Sequence, residues 1–162
     1  SVSSHEESGT QFVITLPIFK QQPQGKMTFK EEIPETRKLN ILVAEDEDPI
    51  RKLLTEVLQL HEHQVTAFSN ARDAFAFFLN NQVDIVLSDI GMPEMDGWEF
   101  AHKIREISTS MPIIFTTGWG LELEAEKLKD FQIDAVIPKP FKLDELVSIV
   151  HRVFLSKTRP HT

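Results

Sequence analysis

Cysteine is absent from the 162-residue chain, which excludes a disulfide framework and any thiolate metal site. This is compatible with a reducing compartment. No apolar run approaches the roughly 20 residues that a membrane helix needs, and no basic-then-apolar leader opens the sequence. Its abrupt start is compatible with a fragment of a longer protein. Positive charge is also short: 17 Lys and Arg stand against 25 Asp and Glu, for a formal net charge of −8. That balance argues against non-specific nucleic-acid binding, and no basic patch of convincing size offsets it. Internal repeats and low-complexity tracts are missing as well. What is present is ordinary for a soluble globular chain: 41% hydrophobic and 26% charged residues. The length suits one domain plus an appendage.

From residue 39 onward, short apolar runs alternate with helical patterns. Strands are expected at 39–44, 64–68, 83–88, 112–116 and 135–137. The first and third are near-continuous Ile, Leu and Val, as in strands covered on both faces. The second is half polar and reads as an edge. A first helix has Asp48 as its expected N-cap and Pro49 at its first position. Its apolar face is Ile50, Leu53, Leu54, Val57 and Leu58. A second helix follows Ser69-Asn70 and offers Ala71, Ala74, Phe75, Phe78 and Leu79. A third follows Asp96-Gly97 with Phe100, Ile104 and Ile107. A short acidic one is expected near 121–129. The last uses Leu143, Leu146, Val147, Val150 and Phe154; Lys142 stands where its N-cap is expected, so its first turn lacks a capping side chain. Five βα units with short connections imply a flavodoxin-like (βα)5 doubly wound parallel sheet of strand order 2-1-3-4-5. Ligands of such sheets bind beyond the carboxyl ends of the strands.

Those ends carry an unusual set. "ILVAEDEDP" at 41–49 gathers four successive carboxylates where the first strand gives out. The third strand ends in Asp89, the fourth in Thr116-Thr117-Gly118, and the fifth in Lys139-Pro140. Parallel topology brings all of them to one edge. Close carboxylates cannot all ionise cheaply, so a cation belongs among them. Hard oxygen donors with open positions suit Mg²⁺, which also binds phosphate oxygens. The central carboxylate then has the character of a nucleophile toward phosphorus. Each piece alone is ordinary: an acidic turn, a capping Asp, a packed Thr, a surface Lys. The information lies in their joint order at four strand ends.

"ILVAEDED", "DIVLSDIGMPEMDG", "PIIFTTG" and "VIPKPF" resemble the four signature segments of the response-regulator receiver domain, over about residues 38–156. The resemblance implies that Asp89 is the phospho-acceptor. It implies that Asp46, Asp89 and the backbone carbonyl of Gly91 ligate Mg²⁺ (or Mn²⁺), with Glu45 holding a metal-bound water. Thr117 and Lys139 would contact the phosphoryl group, and a cis peptide is expected at Lys139-Pro140. Of the acidic run, Asp48 is then a helix cap and Glu47 a solvated residue. Four positions depart from the pattern or bear on its rates. Glu45 replaces the usual Asp. Val136 stands where an aromatic commonly couples to the Thr during switching, so this chain is expected either to switch weakly or to switch by another route through its fourth helix and neighbouring loops. Gly91 and Trp119 occupy positions that influence hydrolysis of the acyl phosphate in the family.

Residues 1–38 lie outside this pattern. "SGTQFVITLP" at 8–17 reads as a strand with Phe12, Ile14 and Leu16 on one face, stopped by Pro17. A polar Gln/Pro/Gly stretch follows and reads as a linker. "GTQFVITLP" resembles the closing strand of a histidine-kinase ATP-binding domain; the plainer alternative is an extra strand on the receiver. The expected organisation is therefore a kinase remnant at 1–18, a linker at 19–37, a receiver at 38–156 and a tail at 157–162. That order matches a hybrid sensor histidine kinase, and no DNA-binding helix pair is seen after residue 156. The implied donor is a phosphohistidine, on a kinase dimerisation domain or a histidine phosphotransfer protein. The implied location is cytoplasmic, with a parent chain that membrane segments elsewhere would anchor. Neither nucleic acid nor membrane is expected as a partner of this segment, and a homodimer is left open. The chain alone would be a phospho-acceptor with autodephosphorylation, the parent a histidine protein kinase. Two other readings compete: a receiver-like interaction module without phosphorylation, and a small Mg²⁺-dependent phosphohydrolase with Asp46 as nucleophile. The D-x-D spacing of Asp46-Glu47-Asp48 suits the latter, but no cap segment accompanies it.

Overall fold

Ile41–Val43 and Ile85–Leu87 are continuously apolar, and both lie in strands inside the sheet, sealed from solvent on both faces. A computed structural model describes residues 2–5, 9–12, 37–118 and 125–158. The chain divides into two compact units, Ser1–Thr36 and Arg37–Thr162. In the first, β1 (Val2–His5) pairs antiparallel with β2 (Gly9–Phe12). Of the strand expected at 8–17, Gly9–Phe12 is described, as β2. Residues 13–17 and most of the linker lie outside the described residues.

The second unit alternates β3 (Asn40–Ala44), α1 (Asp48–Leu60), β4 (Gln64–Phe68), α2 (Ala71–Phe78), β5 (Ile85–Asp89) and α3 (Gly97–Ile107). It continues with β6 (Ile113–Thr117), α4 (Ala125–Asp130), β7 (Ala135–Pro138) and α5 (Leu143–Thr158). The five parallel strands lie in the order β4-β3-β5-β6-β7, which is the expected 2-1-3-4-5. Half-polar β4 is the edge. Period-two alternation divides the core. Ile41, Val43, Ile85, Leu87, Ile114 and Ile137 face one way and pack with α1 and α5. Leu42, Ala44, Val86, Ile113 and Phe115 face the other way and pack with α2 and α3. No helix among the described residues is long and apolar enough to cross a membrane.

Local chemistry sets several ends. Asn70 caps α2 by accepting from Asp73 N–H at 2.8 Å, and Asp96 caps α3 by accepting from Glu99 N–H at 2.8 Å. Asp48, expected as the cap of α1, instead lies in its first turn, and Glu47 holds the cap position without a side-chain cap bond. The reason is electrostatic: Asp48 is drawn to Arg51 at 2.6 Å and to Lys52 at 2.7 Å. Leu53, Leu79, Ile107 and Leu143, expected on buried faces, stand open to solvent. Leu79 lies beyond the end of α2, Ile107 is the last residue of α3 and Leu143 the first of α5. At such ends the sheet no longer covers the helix. The described part of the fourth helix is Ala125–Asp130, which buries no residue; residues 121–124 lie outside the described ones. The last helix begins at Leu143 with the Leu146 N–H donating to the Lys142 carbonyl at 3.1 Å, and it extends through Thr158.

Candidate functional site at the carboxyl edge of the sheet

Strand register puts the acidic residues in one row. Ala44 pairs with Ser88, so Glu45 follows beside Asp89, and Asp89 pairs with Thr116. One carboxylate oxygen from each of Glu45, Asp46 and Asp89 lies within 4.8 Å of the others. Glu45 is fully buried, Asp89 is 7% exposed and Asp46 is half-buried. Lys139, just past β7, sends its ammonium among them. Its Nζ lies 2.9 Å from Glu45 Oε2, 3.1 Å from Glu45 Oε1 and 2.9 Å from Asp89 Oδ1. Glu47, expected to be solvated, is exposed yet brings Oε1 to 3.6 Å of the same ammonium.

The charges respond to this crowding. Burial pushes the Glu45 carboxyl up, and repulsion from Asp89 adds to it; the bond to Lys139 pulls down without cancelling the rise. Burial would push Lys139 down, but its bonds to Glu45 and Asp89 outweigh burial and raise it. The ammonium therefore stays charged. One ammonium faces three carboxylates, and Glu45 Oε2 is buried with no partner among the described residues beyond that ion pair. A hard divalent cation fits such an all-oxygen set.

The remaining expected residues sit around this group. Gly91 N–H donates to Asp89 Oδ2 at 3.0 Å. Thr117, at the end of β6, is buried, and its hydroxyl donates to the Gly118 carbonyl at 3.3 Å. A Cβ added to Gly118 would meet nothing within 4 Å among the described residues. The Lys139-Pro140 bond is cis. Val136 is half-buried against the α2/α3 side of the core. Trp119 lies outside the described residues.

Two residues were not singled out from the sequence. A Cβ on Gly97 would collide with the Asp89 carbonyl oxygen, so the start of α3 approaches the Asp89 backbone as only glycine allows. The D-G pair at 96–97 was the available signal. Arg51 is the other: its Nη1 donates to the Glu45 and Asp46 carbonyls at 2.8 and 3.1 Å. Nothing in the sequence pattern points to backbone oxygens as its partners.

A doubly wound parallel sheet with order 2-1-3-4-5 and an acidic trio at its carboxyl edge defines an α/β domain of the flavodoxin-like receiver class. The family model of the response regulator receiver domain matches residues 41–151, and the chain belongs to that family. It is a receiver domain of two-component systems. Sensor protein EvgS of Escherichia coli K12 is 34% identical over 158 residues, 94% of this chain but 13% of EvgS. Response regulator receiver protein CpdR of Brucella abortus is 33% identical over 119 residues, covering 72% of this chain and 97% of CpdR. Among solved structures, the receiver domain of a Syntrophus aciditrophicus signal transduction histidine kinase superposes with a TM-score of 0.68 at 26% identity. That match covers 76% of this chain and 96% of the other.

Proposed function

We propose that this chain accepts a phosphoryl group from a phosphohistidine onto Asp89, as the cytoplasmic receiver module of a hybrid histidine kinase phosphorelay. The observation that carries the reading is Lys139, whose ammonium lies 2.9 Å from both Glu45 and Asp89 at the strand ends. Glu45, Asp46 and Asp89, with the Gly91 carbonyl, are the residues that would hold Mg²⁺ or Mn²⁺. When bound, the ion would offset the negative charge of the phosphoryl oxygens.

The chain's own groups have separate tasks. An Asp89 carboxylate oxygen forms the new bond to phosphorus while the N–P bond of the phosphohistidine breaks. The imidazole nitrogen keeps the electron pair, so no proton need leave Asp89. Lys139 stays charged and neutralises a phosphoryl oxygen, and the Thr117 hydroxyl donates to another. Gly118, which has no side chain, leaves room for the group. Hydrolysis of the acyl phosphate by water, or its transfer to another histidine, resets Asp89.

The hybrid-kinase origin is supported by the EvgS alignment, which spans 94% of this chain, against 72% for the stand-alone receiver CpdR. On that reading residues 1–18 are the end of an ATP-binding domain, 19–37 a linker, 38–156 the receiver and 157–162 its tail. The kinase activity belongs to the parent chain.

Intact mass after incubation with acetyl phosphate tests the acceptor. Wild type should gain one phosphoryl group only with Mg²⁺, and Asp89→Asn should gain none. No gain in wild type refutes the acceptor reading. A group that survives Asp89→Asn but is lost in Asp46→Asn would point to the hydrolase alternative.

A further inference from the structure

The β3–α1 loop carries two of the three acidic residues, and its backbone is tied on both sides. On one side the Glu45 N–H donates to the Phe68 carbonyl at the end of β4, 3.0 Å away. On the other side the Arg51 side chain folds back from the first turn of α1 instead of reaching into solvent. Nη1 donates to the Glu45 carbonyl at 2.8 Å and to the Asp46 carbonyl at 3.1 Å, and Nη2 to Asp48 Oδ1 at 2.6 Å. The side chain is 19% exposed. One planar fork therefore grips the Glu45 and Asp46 carbonyls of the loop together with the Asp48 carboxylate in the first turn of α1, which a lysine ammonium cannot reproduce.

We propose that Arg51 is a positioning residue for the cation site: by holding the Glu45 and Asp46 carbonyls it aims their carboxylates toward Asp89. The inference rests on the proposed function, since it presumes that the trio binds Mg²⁺. Arg51 itself does not touch the ion, the phosphoryl group or Asp89. Its effect on the site has a sign that separates positioning from simple charge. As a nearby cation, Arg51 repels Mg²⁺, so its removal should tighten binding if charge is all it supplies. As a clamp, its removal should weaken binding because the carboxylates are no longer held together.

Calorimetric titration of Mg²⁺ into the unphosphorylated chain decides between the two. Arg51→Met should weaken Mg²⁺ binding about tenfold, the usual scale for losing a residue that orients ligands. Arg51→Lys, which keeps the charge and loses the fork, should also bind more weakly. Asp48→Asn retains both carbonyl contacts and should stay within about twofold, as befits an exposed ion pair. Equal or tighter Mg²⁺ binding by Arg51→Met, with wild type binding normally, overturns the inference and leaves the proposed function standing. If Arg51→Met fails to fold by circular dichroism, Arg51→Lys decides alone, and unchanged affinity there overturns it. A wild-type chain that takes up no Mg²⁺ overturns the proposed function and this inference together.

Discussion

Lys139 neutralises a carboxylate that water does not reach: its Nζ is 2.9 Å from Oε2 of the fully buried Glu45. Burial nevertheless wins, and the Glu45 carboxyl is raised above its ordinary value. A raised carboxyl binds its proton more tightly in the folded chain than in the unfolded one. Its contribution to stability is therefore full below pH 4.5 and is lost as pH rises through the folded value. Glu45→Gln should raise the unfolding midpoint at pH 7 in Mg²⁺-free buffer, and the gain should vanish as pH falls below 4.5. The same variant should lose most of the stabilisation that Mg²⁺ gives wild type. Thermal scans with and without Mg²⁺ at several pH values check both halves. A lower midpoint for Glu45→Gln at pH 7 would mean that the Lys139 bond outweighs burial.

Lys139→Met tests the same pair from the other side. It leaves Glu45 and Asp89 buried without their cation, and breaking such a pair costs about 3–5 kcal/mol. Urea unfolding without Mg²⁺ should show a loss of that order. The double variant Lys139→Met with Glu45→Gln should lose clearly less, because the orphaned buried charge is gone. Additive losses would show that the two groups are not coupled.

The fold was legible because period and punctuation agree with it. Near-continuous apolar strands at 41–43 and 85–87 took the sheet centre, and the half-polar 64–68 took its edge. Helical spacing identified which face of each helix turns inward, but not how far along the helix the sheet reaches. Leu79, Ile107 and Leu143 escaped burial for that reason. The acidic trio and Lys139 were legible because topology alone sends strand ends to one edge. Arg51 and Gly97 were not, since their partners are the carbonyls of Glu45, Asp46 and Asp89. A backbone oxygen has no letter in the sequence. The cap of α1 was misread because a nearby Arg and Lys compete for the same Asp48 carboxylate.

Thr116 pairs with Asp89 in the sheet, yet its buried hydroxyl has no hydrogen-bond partner among the described residues. A buried polar group without a bond is costly, on the scale of 1–3 kcal/mol. Thr116→Val keeps the shape and removes that group, so it should stabilise the chain by about 1 kcal/mol. Thr117→Val should not mimic it: its effect should appear in phosphorylation by acetyl phosphate. Urea midpoints and phosphorylation rates of the two variants separate the adjacent threonines. A destabilised Thr116→Val would show that the hydroxyl finds a partner in solution.

Arg105 ties the opposite end of the sheet. From α3 it donates to the Met111 and Gln132 carbonyls at 2.6 Å each and to the Phe131 carbonyl at 3.3 Å. These carbonyls precede β6 and β7, on the edge away from the acidic trio. Arg105→Ala should cost about 2–4 kcal/mol in urea unfolding, from several lost bonds to a charged donor. Lysine should recover little, since it lacks the fork. Phosphorylation of the folded variant should match wild type, because the site lies at the other edge. An impaired rate would show that strain at one edge reaches the other.

His63 carries the pH prediction of opposite sign to Glu45. It lies just before β4, is 4% exposed and faces His151 of α5, with the two Nε2 atoms 3.1 Å apart. Its Nδ1 accepts from the Leu39 N–H at 3.4 Å. The neutral ring therefore carries its proton on Nε2 and donates it to His151. A second proton would have to sit on Nδ1, against the Leu39 N–H. Burial, then the nearby His151 and His61, lower His63 from 6.5 to about 4, and burial lowers His151 as well. A lowered folded value means that the unfolded chain takes the proton first. Stability is full above pH 6.5 and is lost as pH falls toward 4. For His63 alone the loss is at most about 3 kcal/mol at 1.36 kcal/mol per pKa unit. Urea midpoints between pH 7.5 and 4.5 should fall for wild type and fall much less for His63→Gln, which cannot titrate. Parallel curves for the two chains would show that the His63–His151 contact does not govern acid stability and that other groups carry the loss.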